Sequence, residues 1–339
     1  MEKGKELIGG SIVQDKLIDA VSFGKTKMLI SEDGYSFSRF TDSQKQIWKA
    51  ENPYFTEEAF DGYFYRNCIT DAGIKIDFLT NSSFVKINVS KIESLNDSKN
   101  LDTEIFVDAK KVLNINECGE YSLTLNKKSR VQILLPSFAH IYFKSIEVED
   151  NCELMPVKHR LRWLALGDSI THGVGATMPS LNYVSRIAKR ADIEVMNQGN
   201  SGYVNDERII TRIDGWEPDI VTSAYGINDV GRKTLEQQES ELYDCCEKLK
   251  REFPNSRIYI ISPIWSETLF GVTPYSHKCE GVYKIFEGVK NISGVHLIDG
   301  LKLVPHNKKY FQPDGNHPND MGYAYYASRL GKILFADIN

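Results

Sequence analysis

Long apolar runs are missing from this sequence of 339 residues. No stretch approaches the roughly 20 apolar residues that a helix needs to cross a bilayer. The opening segment, MEKGKELIGGSIVQDK, has no apolar core of the length that a signal peptide requires. We therefore expect no membrane partner, and if the sequence is complete, the expected location is the cytoplasm.

An excess of basic residues is missing as well. The chain carries 41 Lys and Arg against 46 Asp and Glu, which gives a formal net charge of -5. Because nucleic-acid-binding proteins usually display a basic patch or stripe, we expect no nucleic-acid partner. The six cysteines include no C-x-x-C pair, and their scatter is typical of reduced thiols rather than of a disulfide framework.

The chain from about residue 73 to 150 alternates apolar and polar residues with the period of two that β-strands show. The clearest runs are Gly73–Thr80, Ser83–Ser90, Thr103–Leu113 and Ala139–Asp150. Glu120–Pro136 has the pattern of a hairpin that turns at Asn126–Ser129. Several short strands without a long helical pattern predict an N-terminal β-sandwich, jelly-roll-like. The first 72 residues are less readable and are assigned to this domain by default.

The pattern changes after about residue 159, where short apolar runs alternate with segments of helical spacing. The apolar runs are Leu161–Gly167, Ile193–Gly199, Asp219–Gly226, Arg257–Ile264 and Val295–Gly300. A last helix is expected from Asp320 to about Leu334. Such alternation predicts an α/β domain, a parallel sheet with helices on both faces, and ligands at the carboxyl ends of its strands. We place the two domains at residues 1–158 and 159–339.

The first run of the second domain ends in LALGDSITHG, where Gly-Asp-Ser follows an apolar strand. A tight turn there would hold the Ser169 hydroxyl at the carboxyl edge of the sheet, near a helix N-terminus that favours negative charge. The alternative is that Ser169 only caps the following helix. The G-x-S-x-G elbow is absent, because Thr171 stands where that motif has its second glycine.

Three later stretches could complete a site around Ser169. NQGNSGY at residues 197–203 offers glycines whose N–H groups could approach a substrate oxygen, and YGINDV at residues 225–230 offers the side-chain amide of Asn228. Each stretch alone is also typical of a plain turn. Near the end of the chain, DGNHPND places Asp314 three residues before His317. Together these residues supply a nucleophile, a base, an orienting carboxylate and oxyanion donors, the parts of an acyl-transfer site.

With these four blocks in this order, the chain resembles the SGNH (GDSL) hydrolase superfamily. The matching blocks span most of residues 161–320 and are Gly167–Ser169, Asn197–Gly202, Gly226–Asp229 and Asp314–His317. The resemblance implies a flavodoxin-like domain and a carboxylic ester hydrolase that needs no metal or organic cofactor. It also implies a triad made of the nucleophile Ser169, the base His317 and the orienting acid Asp314.

The same resemblance assigns the oxyanion hole to the backbone N–H groups of Ser169 and Gly202 and to the side chain of Asn228. Gly199 is an alternative to Gly202. Two further residues, His172 and Trp265, are candidates for lining the pocket, with a polar loop position and a packing role as their respective alternatives. Asp229 is expected to be structural. The remaining histidines show no metal-ligand spacing; they are His140, His159, His277, His296 and His306.

The order of the two domains is similar to that of carbohydrate esterase family 2 and related two-domain bacterial esterases. This second resemblance rests on the layout and on Ala72–Val89. It implies a serine esterase whose substrate is a small-molecule or oligosaccharide ester, with O-acetyl groups on carbohydrate as first choice. The alternatives are a lysophospholipase or thioesterase for longer acyl chains, and a non-catalytic glycan-binding protein.

Overall fold

A computed structural model describes residues 10–50, 54–56, 58, 61–94, 101–126, 128–271 and 279–336. The strands before residue 160 form two antiparallel sheets, and those after it form one parallel sheet. The predicted boundary at residues 158–159 falls in the connection between the last antiparallel strand and the first parallel one.

The N-terminal strands are, in chain order, β1 Gly10–Ile12, β2 Ser22–Phe23, β3 Lys27–Ser31, β4 Gly34–Ser38, β5 Lys75–Thr80, β6 Phe84–Ser94, β7 Thr103–Val107, β8 Lys110–Ile115, β9 Gly119–Thr124, β10 Ser129–Leu134, β11 Ala139–Glu149 and β12 Leu154–Pro156. One sheet has the order β3-β4-β11-β6-β9, with β1 on β11. The other has the order β12-β5-β10-β7-β8, with β2 on β5.

The two antiparallel sheets bury their facing sides in one hydrophobic core. In the first half of β6 every second residue points inward, as Val85 and Ile87 show, and Ile76 and Phe78 of β5 meet them from the other sheet. This period of two is the pattern that the sequence displays. Two antiparallel sheets that share one core are compatible with a sandwich, and the jelly-roll-like sandwich stays a prediction.

The hairpin predicted over Glu120–Pro136 is wrong. Strand β9 pairs with β6 in one sheet, whereas β10 pairs with β5 and β7 in the other, so the chain crosses between the sheets here. Strands of both sheets place every second residue in the same core. The alternation of apolar and polar residues therefore cannot distinguish two paired strands of one sheet from two strands that lie in opposite sheets. The run Thr103–Leu113 forms a hairpin instead: β7 pairs with β8 across Asp108 and Ala109, which both have positive φ.

The described residues of the N-terminal part include the α-helices α1 Asp15–Ala20, α2 Asp42–Lys49 and α3 Tyr63–Cys68. Helix α2 begins at a capping box in which Thr41 and Gln44 exchange hydrogen bonds. Trp48 of α2 and Phe64 of α3 are buried in a core that also contains Tyr203 of the second domain. In the first 72 residues, strands β1 to β4 join the antiparallel sheets, while α2 and α3 pack on the other domain. The default assignment of these residues to the first domain stays a prediction.

The parallel sheet confirms the predicted alternation of the second domain. Its strands are β13 Arg162–Gly167, β14 Glu194–Gly199, β15 Ile220–Ala224, β16 Arg257–Ile261 and β17 Val295–Ile298. Their order, β14-β13-β15-β16-β17, is the 2-1-3-4-5 order of flavodoxin-like sheets. The order reverses beside β13, so a site at the carboxyl end of β13 lies at the topological switch point.

Helices cover both faces of the parallel sheet. They are α4 Ser169–His172, α5 Tyr183–Ala191, α6 Leu235–Glu252, α7 Glu267–Phe270, α8 Cys279–Gly288 and α9 Asp320–Leu334. In β13, Leu164 faces a core that includes residues of α6 and α8, and Trp163 faces a core built with α5 and α9. Helix α9 has the bounds that the sequence predicted. Within the described ranges, no helix has the length and apolar character needed to cross a bilayer.

Strand β14 lies at the edge of the parallel sheet, where it contacts β2 and Arg39 of the N-terminal domain. The backbones approach closely at two glycines. A Cβ on Gly24 would lie 2.7 Å from the Val195 carbonyl oxygen, and one on Gly73 would lie 2.6 Å from the Asn197 Cβ. Both glycines also have positive φ. Only glycine allows this contact without a shift of backbone, so the domains meet as one packed unit.

Candidate active site

A chain of short hydrogen bonds joins three residues that are far apart in the sequence. Ser169 Oγ lies 2.8 Å from His317 Nε2, and His317 Nδ1 lies 2.6 Å from Asp314 Oδ2. Ser169 comes from the carboxyl end of β13, and the other two residues come from the loop before α9. The structure thus brings together the three residues that the sequence singled out as a triad. The geometry suits proton transfer from the hydroxyl to the imidazole.

Ser169 is the first residue of α4, so its backbone N–H has no acceptor within that helix. Asp168 precedes it as the N-cap, and its carboxylate accepts a hydrogen bond from the Ile170 N–H at 3.0 Å. Asp168 is buried, and this burial raises the pKa of its carboxyl to about 7, although the Ile170 N–H opposes the rise. The Ser169 side chain remains reachable from the cavity described below, with 8% of the residue exposed.

The loop that carries His317 is fixed by Asp314. The Oδ1 atom of Asp314 accepts hydrogen bonds from the N–H groups of Asn316 at 2.8 Å and His317 at 3.0 Å, and Gly315 between them has a φ of 70°. Partial burial raises the pKa of Asp314, but the hydrogen bonds from the His317 side chain and the two N–H groups outweigh it and lower the pKa to about 2. A carboxylate in this state keeps the proton of His317 on Nδ1, so Nε2 can accept one.

The proposed oxyanion donors lie on neighbouring loops. The Asn228 side chain donates one hydrogen to the Tyr203 carbonyl at 3.0 Å, which leaves its second hydrogen available. Gly202, just before Tyr203, has a φ of 78°, and none of the described residues accepts a hydrogen bond from its N–H. The N–H of the alternative, Gly199, already donates to the Asn197 side chain at 2.9 Å. The geometry therefore favours Gly202 over Gly199.

A cavity of about 340 Å³ opens beside Ser169 and His317. The other lining residues are Ile170, Ile227, Asn228, Val230, Gly231, Arg232, Thr268 and Asn316. Arg232 was not anticipated from the sequence, although it follows the third block by only a few positions. Its guanidinium lies 4.5 Å from the centre of the Phe55 ring and donates to the Tyr54 carbonyl at 3.0 Å, so the N-terminal domain contacts a residue of the cavity wall.

His172 does not line this cavity, so its prediction as a pocket residue is wrong. It is 0% exposed and lies between the two domains, where its ring contacts Thr70, Ser137 and Ser201. His172 lies three residues beyond Ser169 in α4, and its side chain points toward the N-terminal domain. No feature of the sequence indicates that this histidine, expected in a polar loop, has buried partners from both domains.

Trp265 also lies outside the cavity lining. Its ring is partly buried and contacts Phe270, His306 and Phe311, with the Phe311 ring centre at 5.2 Å. This arrangement fits the packing role that the sequence left open. Thr268, three residues further on, reaches the cavity instead.

Asp229 fixes the turn that presents Asn228. It is buried and lies 2.7 Å from the Nζ atom of Lys233, which is buried as well and also donates to the Asn205 carbonyl. Burial raises the pKa of Asp229, and the Lys233 charge opposes the rise. The structural role expected for Asp229 agrees with these contacts. Among the described residues, no group of three or more His, Cys, Asp or Glu side chains is placed to hold a metal ion.

Comparison with known proteins links this geometry to a family. Residues 165–325 match the model of the GDSL-like Lipase/Acylhydrolase family. No curated protein matches the sequence. Among solved structures, the Salicylyl-Acyltransferase SsfX3 from a tetracycline biosynthetic pathway is similar with a TM-score of 0.77 and 16% identity, over 94% of this chain and 95% of that one.

Two carbohydrate esterases are similar over 80% of this chain. A family two carbohydrate esterase from Clostridium thermocellum, solved with cellohexaose, has a TM-score of 0.60 and 13% identity over 94% of its chain. The acetyl xylan esterase Est2A from Butyrivibrio proteoclasticus has a TM-score of 0.58 and 17% identity over 91% of its chain. At these identities the likeness concerns the fold.

Proposed function

We propose a serine mechanism for this ester-hydrolysing enzyme, whose residues 165–325 form a GDSL-like lipase/acylhydrolase domain. The observation that carries the proposal is the hydrogen-bonded chain from Ser169 through His317 to Asp314. Its three residues have the roles of nucleophile, general base and orienting acid.

In the first step, Ser169 Oγ attacks the carbonyl carbon of the ester and passes its proton to His317 Nε2. Asp314 holds the imidazole in the tautomer with hydrogen on Nδ1 and stabilises the imidazolium that forms. The tetrahedral intermediate collapses to an acyl-serine, and the alcohol leaves with the proton from Nε2. Water, activated by the same imidazole, then attacks the acyl-serine and releases the acid.

The negative charge of the tetrahedral intermediate requires donors that are in place before the reaction. The proposal assigns this role to the N–H groups of Ser169 and Gly202 and to the second hydrogen of the Asn228 amide. Asn228 holds the Tyr203 carbonyl with its first hydrogen, so two of the three donors are fixed to each other.

We further propose that the substrate is an O-acetyl ester on a carbohydrate. Two observations support this choice. The cavity wall mixes short apolar side chains, such as Ile170 and Val230, with polar ones, such as Thr268 and Asn316, which suits a small acyl group on a polar alcohol. The similar folds include an acetyl xylan esterase and an esterase solved with cellohexaose.

The test is hydrolysis of p-nitrophenyl acetate by the wild type and by Ser169→Ala. We expect the variant to lose activity by a factor on the order of 10⁵ to 10⁶ while its thermal unfolding stays close to wild type. Ser293→Ala, in an exposed turn far along the chain, serves as the matched control and should keep full activity. Full activity in Ser169→Ala would refute the serine mechanism.

The substrate class is tested separately with a series of p-nitrophenyl esters from acetate to palmitate, followed by acetate release from acetylated xylan and mannan oligosaccharides. The proposal expects the highest kcat/KM for acetate and measurable release from the oligosaccharides. A preference for long chains would reject the carbohydrate acetyl ester and favour a lysophospholipase or thioesterase.

A further inference from the structure

We infer that His172, Ser201 and Arg39 form a buried network that positions the Gly202 N–H for the oxyanion, so that the N-terminal domain helps to set the rate of the reaction. The inference rests on the proposed function, because it assigns a role to residues behind the proposed oxyanion hole. None of the three residues lines the cavity, and each therefore acts as a positioning residue rather than through contact with the substrate.

His172 is the centre of this network, which we call the positioning network. Its Nε2 atom lies 2.8 Å from the Ser137 carbonyl oxygen and 2.9 Å from Thr70 Oγ1, and both of these partners belong to the N-terminal domain. A carbonyl oxygen only accepts, so Nε2 carries the hydrogen. Burial, and then the nearby Arg39 charge, lower the pKa of His172 well below its usual value, so the ring is neutral and Nδ1 has a free lone pair.

That lone pair determines the direction of the next hydrogen bond. Ser201 Oγ lies 2.8 Å from His172 Nδ1, so the serine hydroxyl donates to the ring. Ser201 is 4% exposed and is joined directly to Gly202. The orientation of the Ser201 side chain thus restrains the peptide unit whose N–H is the proposed oxyanion donor.

The rest of the loop is anchored on both sides of this peptide. The Asn200 N–H donates to the Gly167 carbonyl at 2.8 Å, and the Tyr203 carbonyl accepts from Asn228. Gly202 has a φ of 78°, a conformation that a glycine peptide adopts readily but does not enforce by itself. Ser201 is the anchor closest to that peptide, which makes its bond to His172 the one that decides where the N–H points.

Arg39 extends the positioning network to the strand that precedes the loop. Its Nη1 atom donates to the carbonyl oxygens of Asn197 at 3.0 Å and Gly199 at 2.6 Å. These residues are two positions apart in the edge strand β14, so their carbonyls point to the same side. Arg39 is 0% exposed, and its Nη2 lies 3.4 Å from His172 Nε2. One N-terminal side chain therefore fixes both the end of the strand and the surroundings of His172.

Two substitutions at His172 separate the two functions of its ring. In His172→Asn, the amide oxygen lies near the position of Nδ1 and can still accept from the Ser201 hydroxyl. In His172→Gln, the amide group reaches the position of Nε2, where it can donate to the Ser137 carbonyl but leaves the Ser201 hydroxyl without its acceptor. His172→Asn thus loses the contacts of Nε2 with Ser137 and Thr70, whereas His172→Gln loses the hydrogen bond from Ser201.

The experiment measures kcat and KM for p-nitrophenyl acetate, with the concentration of active sites determined by titration with a phosphonate that reacts with Ser169. We expect His172→Asn to keep kcat within about threefold of wild type. We expect His172→Gln and Ser201→Ala to lose about tenfold or more in kcat at unchanged KM, less than the roughly 10² to 10³ of a fully removed donor. Binding of a boronate whose oxygen occupies the oxyanion position should weaken by the same factor.

Thermal unfolding of both His172 variants is the control. If His172 had only a structural role, both variants would be less stable than wild type, and their kcat values per titrated active site would be equal. Equal kcat values in the two variants, or wild-type kcat in Ser201→Ala, would overturn the positioning role alone. A wild-type protein that neither hydrolyses the ester nor reacts with the phosphonate would overturn the proposed function, and the positioning role with it.

Discussion

Replacing Arg39 by Met would remove the side chain that joins the domains most directly. The guanidinium is buried and donates five hydrogen bonds, to four carbonyl oxygens and one hydroxyl. The acceptors are the carbonyls of Asn67, Thr70, Asn197 and Gly199 and the hydroxyl of Thr70. Met fills a similar volume but donates nothing, so it tests the hydrogen bonds while leaving the packing nearly unchanged.

The expected loss of stability follows from two opposing effects. Three carbonyl oxygens, those of Thr70, Asn197 and Gly199, would be left buried without this donor, at about 2 kcal/mol each. The Asn67 carbonyl keeps the Thr70 hydroxyl as a donor. Burial also lowers the pKa of Arg39 from 12.5 to about 10, and removing this disfavoured charge returns roughly 3 kcal/mol. The net expectation is a loss of about 3 kcal/mol in the free energy of unfolding.

Urea unfolding of the full chain, followed by tryptophan fluorescence, measures this loss. The matched control is Arg190→Met, an exposed arginine on α5, which should change the unfolding free energy by about 0.5 kcal/mol or less. If Arg39→Met lowered the unfolding free energy by less than about 1 kcal/mol, the carbonyls would have found other donors, and the bonding described for this edge would be refuted.

Two further variants test the site itself. Asn228→Ala should lower kcat by about 10² to 10³ with little change in KM. The control Asn316→Ala, also on the cavity wall, should keep kcat within a fewfold of wild type. Similar losses of kcat in both variants would argue against an oxyanion role for Asn228. Asp168 has a folded pKa of about 7, above the ordinary 3.8, so its contribution to stability is present below pH 4 and is lost as the pH rises toward 7. Asp168→Asn, which still offers an oxygen to the Ile170 N–H, should therefore be more stable than wild type at pH 8, by up to roughly 4 kcal/mol, but not at pH 4. Equal unfolding curves at both pH values would show that burial does not penalise this carboxylate.

The residues closest to the chemistry could be found from the sequence because each follows a strand of the parallel sheet. Ser169 and Asn228 stand in short blocks close after apolar runs, and the carboxyl ends of parallel strands converge on one edge. His317 lies further from its strand, in the polar block between β17 and α9. Helix α9 was predictable to its bounds because Asn319 caps it and apolar residues recur at helical spacing along it.

The contacts between the domains could not be found in this way. Hydrophobic periodicity shows which side of a strand is buried but not which partner buries it, so the crossing from β9 to β10 had the pattern of a hairpin. Arg39 follows directly after strand β4 and His172 ends the four-residue helix α4. A polar residue at such a position is typically exposed to solvent. Their burial depends on acceptors contributed by the other domain, which no local pattern records.

The contact of the N-terminal domain with edge strand β14 also limits which further strands can pair with the parallel sheet on that side. An uncovered edge strand offers unpaired carbonyl groups on which another chain could add a strand, the first step of aggregation. Arg39 meets two of these carbonyls with a group that has five donors and no acceptor, so the ladder stops there. Since the N-terminal domain is synthesised first, Arg39 is present before strand β14, which it protects from such pairing, leaves the ribosome.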